Sequence, residues 1–237
     1  MTYGLTDIHQ HLLWGLDDGP DTAQGTQDML REAHRQGICQ VAATCHACPG
    51  FVPFDIGAYR ERLTQAQDFA RQENLDVALF PGAEVAWTFQ TTTSIRHGDF
   101  PTLGSTDYVL LELWRDVSLQ TARDAVNQLI RAGYCPVLAH VERYRCFSWW
   151  PKAALRFREE TGALMQVNAA ALLHPRGPVE KHFVHTMLNA RGIDAVATDA
   201  HGTPARPLNL LEAHDWLVQH TDADYARALT TFAGELK

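Results

Sequence analysis

The stretch Leu5-Thr6-Asp7-Ile8-His9-Gln10-His11 decides how the rest of the chain is read. A short apolar run over residues 5–8 passes directly into groups able to bind a metal ion. Successive side chains of an extended chain point to opposite faces, so His9 and His11 point to the same side and can converge on one ion. Asp199-Ala200-His201 repeats that geometry after the apolar run 194–198. Either pair alone is equally the mark of an ordinary polar strand end. Together, near opposite ends of the chain, they point to one site assembled at the ends of strands.

Working outward from that stretch, short apolar runs alternate with longer helical patterns, the rhythm of a parallel sheet with crossover helices. Seven such units can be counted. Strands are expected at 5–8, 39–44, 77–80, 108–113, 136–139, 164–167 and 194–198. Thr22 caps a first helix that carries Met29, Leu30 and Ala33 on one face and stops at Gly37. Further helices are expected at 55–74, 121–131, 151–161 and 179–190, with two more after Pro207. Pro81-Gly82 reads as the end of the third strand. Residues 85–105 read as a less regular connection placed to cover the site. The chain is 237 residues long with 46% hydrophobic and 20% charged residues, which suits one α/β domain over 1–237.

Almost every strand is followed by a residue able to bind metal, which is how barrel enzymes collect reactive groups at the carboxyl face of the sheet. The series runs Asp7, His9, His11, Asp17, Asp18, His46, Glu84, Glu112, His140, Asn168, Asp199 and His201. Glu84 follows Gly82-Ala83, where small residues permit close backbone approach. Glu112 interrupts Val109-Leu110-Leu111 with a charge that is costly to bury unpaired, and metal coordination or a salt bridge to an arginine would resolve that cost. Two or three divalent ions are expected, and mixed imidazole and carboxylate donors suit manganese, iron or zinc better than calcium, with the choice among the three left open. Cys45-His46-Ala47-Cys48 lacks the second pair that a closed zinc site needs. His34, His97, His174, His182, His185, His214 and His220 fall in helices or loops and are not taken as ligands. Arg143, three residues after His140, and Arg206, five after His201, could reach an anion held over the ions, since a planar guanidinium suits phosphate oxygens. Pairing of Arg143 with Glu142 or a neighbouring carboxylate, and capping of the final loop by Arg206, account for them equally well.

The charge balance, 20 basic against 28 acidic residues, gives −8, and no basic run is present, so nucleic acid is disfavoured as a partner. No apolar run approaches membrane-spanning length and no leader pattern is seen, so the chain is expected to stay in the cytoplasm without stable membrane insertion. Five cysteines fit free thiols in a reducing compartment. Neither charge nor size distinguishes a ring of subunits from a single one.

The ordered set Asp7-Ile8-His9-Gln10-His11, Asp17-Asp18-Gly19, Thr44-Cys45-His46, Gly82-Ala83-Glu84, Glu112, His140-Val141-Glu142-Arg143-Tyr144, Gln166-Val167-Asn168 and Asp199-Ala200-His201 resembles the bacterial capsule-type tyrosine phosphatases of the polymerase and histidinol phosphatase (PHP) superfamily. The resemblance runs from Asp7 to about Pro207. It implies a distorted seven-stranded, TIM-like (β/α) barrel, the PHP fold, with three metals. One would lie near His9, His11, Glu84 and Asp199, a second near Glu84, Glu112 and His140, and a third near Asp18, His46 and His201. It further implies that Arg143 and Arg206 contact phosphate, and that the substrate is phosphotyrosine on a bacterial tyrosine autokinase controlling capsule and exopolysaccharide export. Such proteins often carry basic residues directly after the loop histidine, whereas Ala47, Cys48 and Pro49 follow His46 here.

The chemistry expected is in-line attack on phosphorus by a hydroxide bridging the ions, with the metals and arginines stabilising the spreading charge. A tyrosine leaving group, with a conjugate-acid pKa of about 10, depends less on a strong general acid than an alkyl alcohol does, although Asp18, His46 or His201 could assist through a water. Covalent cysteine chemistry is disfavoured, because no cysteine has an arginine six positions later. Rival readings are a histidinol-phosphate or other small-molecule phosphatase of the same superfamily, a TatD-like metal-dependent nuclease, and a metal-bound regulatory protein without turnover.

Overall fold

The computed structural model describes residues 4–202, 206–232 and 236. Seven strands, β1 (Leu5–Gln10), β2 (Ile38–Ala47), β3 (Ala78–Ala86), β4 (Tyr108–Glu112), β5 (Cys135–Leu138), β6 (Leu164–Asn168) and β7 (Ala195–Ala197), form one sheet in sequence order, every neighbouring pair parallel. The sheet curls until its two edge strands meet. Asp199 N donates to His9 O at 2.8 Å and His11 N to Ala200 O at 2.9 Å, closing the barrel just beyond β7. The Asp7 carboxylate reinforces the seam by accepting from the backbone N of Thr198 at 3.0 Å and from its hydroxyl at 2.6 Å. The expected barrel is therefore the observed one.

Sequence chemistry explains the helices that pack around it. α1 (Ala23–Arg35) starts at Thr22, whose hydroxyl accepts from Gly25 N, and α2 (Ile56–Gln72) starts at Asp55, whose carboxylate accepts from Ala58 N. After α3 (Thr91–His97), α4 (Leu119–Arg131) is capped by Ser118. α5 (Arg145–Ser148) precedes α6 (Pro151–Thr161), which opens on proline and ends at Gly162 with φ 73°, a left-handed stop suited to glycine. α7 (Ala169–Leu173), α8 (Pro178–Asn189), α9 (Leu210–His220) and α10 (Ala223–Thr231) complete the order. None of these helices is long and apolar enough to cross a membrane.

Two hydrophobic clusters follow from this layering. The larger joins the outer faces of the strands to the helices. The smaller draws Ile8, Ala42, Leu110, Val137, Ala195 and Ala197 from the strands, with Phe80 and Leu164 packed against them. A cluster fed by every strand is the filled interior of a barrel. Leu103, Phe232 and Leu236 close it beside Tyr108, the first residue of β4, whose ring centroid lies 5.3 Å from that of Phe232. With the amino end plugged, the carboxyl end is left for the polar residues.

β3 differs from the expectation. It runs through Pro81-Gly82 to Ala86, so Glu84 lies inside the strand rather than after it. Proline is tolerated there because β4 pairs with β3 only over Glu84, Val85 and Ala86, leaving no ladder partner for the missing N–H of Pro81 on that side. Gly82 is required by close approach: a Cβ would stand 2.9 Å from Thr44 Cγ2 and 3.2 Å from Leu103 Cδ2. The connection over 85–105 is also more regular than expected. It contains α3 and a 3-10 turn at Leu103–Ser105.

Candidate metal centre

The expected residues gather at the carboxyl end of the barrel. β1 supplies His9 and the adjoining His11, whose Nε2 atoms lie 3.4 Å apart. Each Nε2 stands 3.2 Å from Glu84 Oε2, and they lie 3.5 and 3.6 Å from Asp199 Oδ1. β2 and β3 bring His46 and Glu84 side by side in register, with His46 Nδ1 3.1 Å from Glu84 Oε2. β4 and β5 deliver Glu112 and His140, whose carboxylate and Nε2 are 3.6 Å apart, while His140 Nε2 is 2.7 Å from Glu84 Oε1. The Asp18 carboxylate lies 3.0 Å from His201 Nε2 and 3.3 Å from His46 Nε2. Six of the seven strands thus contribute at or just beyond their carboxyl ends.

Four overlapping donor groups are spaced to hold a metal ion: His11, Asp18, His46 and His201; His9, His140 and Asp199; His9, His11 and Glu84; and His46, Glu84 and Glu112. The fit can be tested on distances. Ligand bonds of about 2.0–2.2 Å at tetrahedral or octahedral angles place neighbouring donors roughly 3–3.5 Å apart, close to the spacings found here. The ring nitrogens are also set for the purpose. A carboxylate only accepts, so His11 Nδ1 donates to Asp17 Oδ2 at 2.7 Å and its Nε2 faces the cluster. Gln166 Oε1 accepts from His140 N at 2.8 Å and from His9 Nδ1 at 3.1 Å, fixing His9 the same way.

Asp17, Gln166 and Asn168 therefore orient ligand candidates, and Asp17 itself falls in no donor group. Gln166 Nε2 donates to Asn168 Oδ1 at 2.9 Å, and Asn168 Nδ2 passes the constraint to Asp199 Oδ2 at 2.8 Å. The sequence places Asp17 among the residues able to bind metal, whereas here it holds the ring of His11, and for Gln166 the sequence predicts no role of its own. The available signals were the Asp17-Asp18 doublet and the position of Gln166, two residues before Asn168 on one strand face. Gly19 completes the loop because a Cβ there would meet the His11 carbonyl oxygen at 2.6 Å. His140 and Asp199 hold left-handed backbones, φ 33° and 54°, directly after their strands, a strain typical of functional positions.

The electrostatics follow from crowding charges in a dry site. Burial opposes the ionised form of Glu84, yet His9, His11 and His140 outweigh it and hold its pKa well below the ordinary carboxylate range. For Glu112, burial and the neighbouring Glu84 charge act together and push the pKa up to about 7. No arginine salt bridge relieves it, so that explanation of its buried charge is not the one realised among the described residues. Asp17 falls to about 2, since the His11 interaction overcomes its burial.

Arg143 Nη2 and Arg206 Nη2 each donate at 2.6 Å to Asp199, on Oδ2 and Oδ1 respectively, and Arg206 Nη1 also reaches Asp18 Oδ2 at 3.2 Å. Arg143 thus pairs with Asp199 and not with Glu142, which is buried and raised to about 7, chiefly by desolvation. Cys45 is buried in the larger cluster with its thiol pushed well up by burial, the opposite of an activated nucleophile. His182 and His185 are exposed on α8, away from the cluster.

A family model described as capsular polysaccharide synthesis, CpsB/CapC, matches residues 5–235. The chain belongs to this family. Among CpsB/CapC relatives, it is 26% identical over 232 residues to the tyrosine-protein phosphatase CpsB of Streptococcus pneumoniae, covering 95% of this chain and 94% of that protein. It is 31% identical over 209 residues to the tyrosine-protein phosphatase YwqE of Bacillus subtilis, covering 88% and 82%. A crystal structure from work on YwqE and CpsB, described as unique metal-dependent tyrosine phosphatases, superposes with a TM-score of 0.85 at 28% identity, covering 94% of this chain and 90% of that one. The CpsB/CapC match bears out the resemblance drawn from the motifs.

Proposed function

We propose that this chain is a metal-dependent phosphomonoesterase that removes phosphate from phosphotyrosine, and that its substrate is a bacterial tyrosine autokinase governing capsule and exopolysaccharide export. One observation carries the reading: donors from six strand ends and the loop after β1 meet beneath two arginines in a geometry suited to metal ions. The tyrosine phosphatase names of relatives matched along nearly the whole chain support the same conclusion. The single domain spans 1–237 and works in the cytoplasm.

The proposed ligands are His9, His11, Glu84 and Asp199 for one ion, Glu84, Glu112 and His140 for a second, and Asp18, His46 and His201 for a third. Manganese is the proposed metal, with iron or zinc as alternatives. When bound, such ions supply Lewis-acid polarisation of the phosphoryl group and acidify water. The chain itself grips the anion through Arg143 and Arg206, whose guanidinia suit phosphate oxygens and stabilise charge that grows in the transition state. Asp18 and His46, exposed at the mouth, and His201 beneath them would assist the departing phenolic oxygen through a water and not by giving up a proton of their own. That oxygen, with a conjugate-acid pKa of about 10, needs little such help.

The test is metal analysis of the purified protein together with hydrolysis of a phosphotyrosine peptide, histidinol phosphate and single-stranded DNA, each with added manganese. Preference for the peptide is expected. Preference for either other substrate, or full metal content without turnover, overturns the reading.

A further inference from the structure

Beside the donor cluster opens a cleft of about 610 Å³. Its inner wall carries Glu112, His140, Arg143 and Arg206; farther out stand Arg115, Arg145, Arg176 and Trp149. Five of the chain's 20 lysines and arginines therefore line one cleft of a protein with a net charge of −8. Three carboxylates share it. Glu112 belongs to the donor cluster, Glu142 is buried, and Glu180 accepts from the backbone N–H of Arg176.

On the far side of Trp149 lies a trough of about 530 Å³, lined by Trp150, Lys152, Arg156 and His182 among others, and by no carboxylate. Trp149 borders both spaces. It is 63% exposed and Trp150 is 69% exposed, although a lone tryptophan usually buries most of its ring. Among the described residues Arg115, Lys152 and Arg156 make no ion pair, whereas Arg145 pairs with Asp116.

We infer that the cleft and the trough form one track for a polypeptide: the phosphorylated residue enters the cleft, and an acidic segment flanking it crosses Trp149 to reach Lys152 and Arg156. A small phosphate ester would be held entirely by the cleft and would gain nothing from cations and indoles beyond it. An acidic polypeptide gains from both, since exposed tryptophans offer large contact area at low entropic cost and the cations complement its charge. A nucleic acid strand offers stacking and charge too, but its unbroken row of phosphates would be opposed by the protein's overall negative field. The inference deepens the phosphotyrosine reading and rests on it for the identity of the residue in the cleft.

The experiment titrates the manganese-loaded protein with two labelled peptides that carry a non-hydrolysable phosphonate analogue of phosphotyrosine, one flanked by Asp and Glu, the other by Ser and Asn. The acidic peptide is expected to bind about tenfold more tightly at low ionic strength, with the advantage shrinking as salt is added. In the Lys152→Glu/Arg156→Glu double variant the preference should fall to within about twofold, with metal content and thermal melting as checks on folding. The wild-type comparison stands even where that variant fails to fold. Equal affinities, absence of binding by both peptides, or tighter binding of a short oligothymidylate overturns the track. Hydrolysis of the matching phosphotyrosine peptides is read separately: if neither is cleaved while the acidic preference in binding persists, the phosphatase reading fails and the track remains.

Discussion

The Nδ1 of His11 donates a 2.7 Å hydrogen bond to the Asp17 carboxylate, and the same oxygen takes the backbone N–H of His46 at 3.0 Å. One carboxylate thus sets the ring of one ligand candidate and the main chain of another. Partners of this kind raise the basicity of a ligating imidazole and fix its tautomer, and their loss weakens metal binding by about 10–100-fold in known sites. Asp17→Asn should therefore lower manganese affinity by about that factor, measured by competition with a chromophoric chelator, while circular dichroism stays unchanged. Wild-type affinity in the variant would remove the orienting role.

The two arginines predict a different pattern. Arg143 and Arg206 bracket Asp199 from both oxygens, yet a guanidinium stays protonated and offers no lone pair to a metal. Removing a preorganised cation aimed at developing charge costs about 10²–10³ in turnover in comparable sites. Arg143→Ala and Arg206→Ala should each lower kcat/KM on an aryl phosphate by that order with metal content preserved. Lysine in place of Arg143 should recover little, because a point charge cannot reproduce the planar fork. Loss of metal in step with activity would make the arginines props for Asp199 instead.

Much of this site was legible because each donor is a polar group placed where an apolar run ends, and burial of such a group without a partner is costly. His9, Glu112 and Asp199 stand out on that ground alone. The orienting roles of Asp17 and Gln166 do not, because such a role depends on which ring nitrogen faces which neighbour, and the Gln166 contact to His9 joins residues 157 positions apart. The third strand is longer than its sequence pattern suggests for a related reason. Pro81-Gly82 has the chemistry of a turn, and only the absence of a β4 partner beside Pro81 shows why it continues as strand. The five-residue α7 is too short for a helical period to declare itself.

Metal chemistry and thiol chemistry separate cleanly in this chain. His9 is fully buried with its Nε2 among Glu84, Asp199 and His11, so His9→Ala should deplete metal and abolish most phosphatase activity, as should chelation of the native protein. Cys45 is equally hidden, but it packs in the outer hydrophobic cluster with its thiol held protonated. Cys45→Ser should keep kcat near the wild-type value and cost about 1 kcal/mol of stability, since a more polar hydroxyl replaces the thiol among apolar neighbours. Metal analysis, turnover and urea unfolding on both variants check this. Full activity after loss of His9, or none after loss of the thiol, would reverse the assignment.

His214 offers a pH dependence far from the metal cluster. It is buried on α9 with its Nδ1 2.8 Å from the Thr230 hydroxyl of α10, and burial lowers its pKa despite the nearby Asp215 charge. The unfolded chain takes up a proton at this residue near pH 6.5, and the folded chain only at lower pH. Between those two values the unfolded state binds more protons, so the contribution of His214 to stability is intact above about pH 6.5 and is lost as pH falls through and below it. His214→Gln retains a hydrogen-bonding side chain that does not titrate. The gap in urea midpoint between wild type and variant, measured with equal manganese in both, should therefore shift in the variant's favour as pH is lowered from 7.5 to 5.5. The comparison within one buffer cancels the titration of the metal-site histidines, which both proteins share, so parallel midpoint curves would show that His214 is not the group responsible.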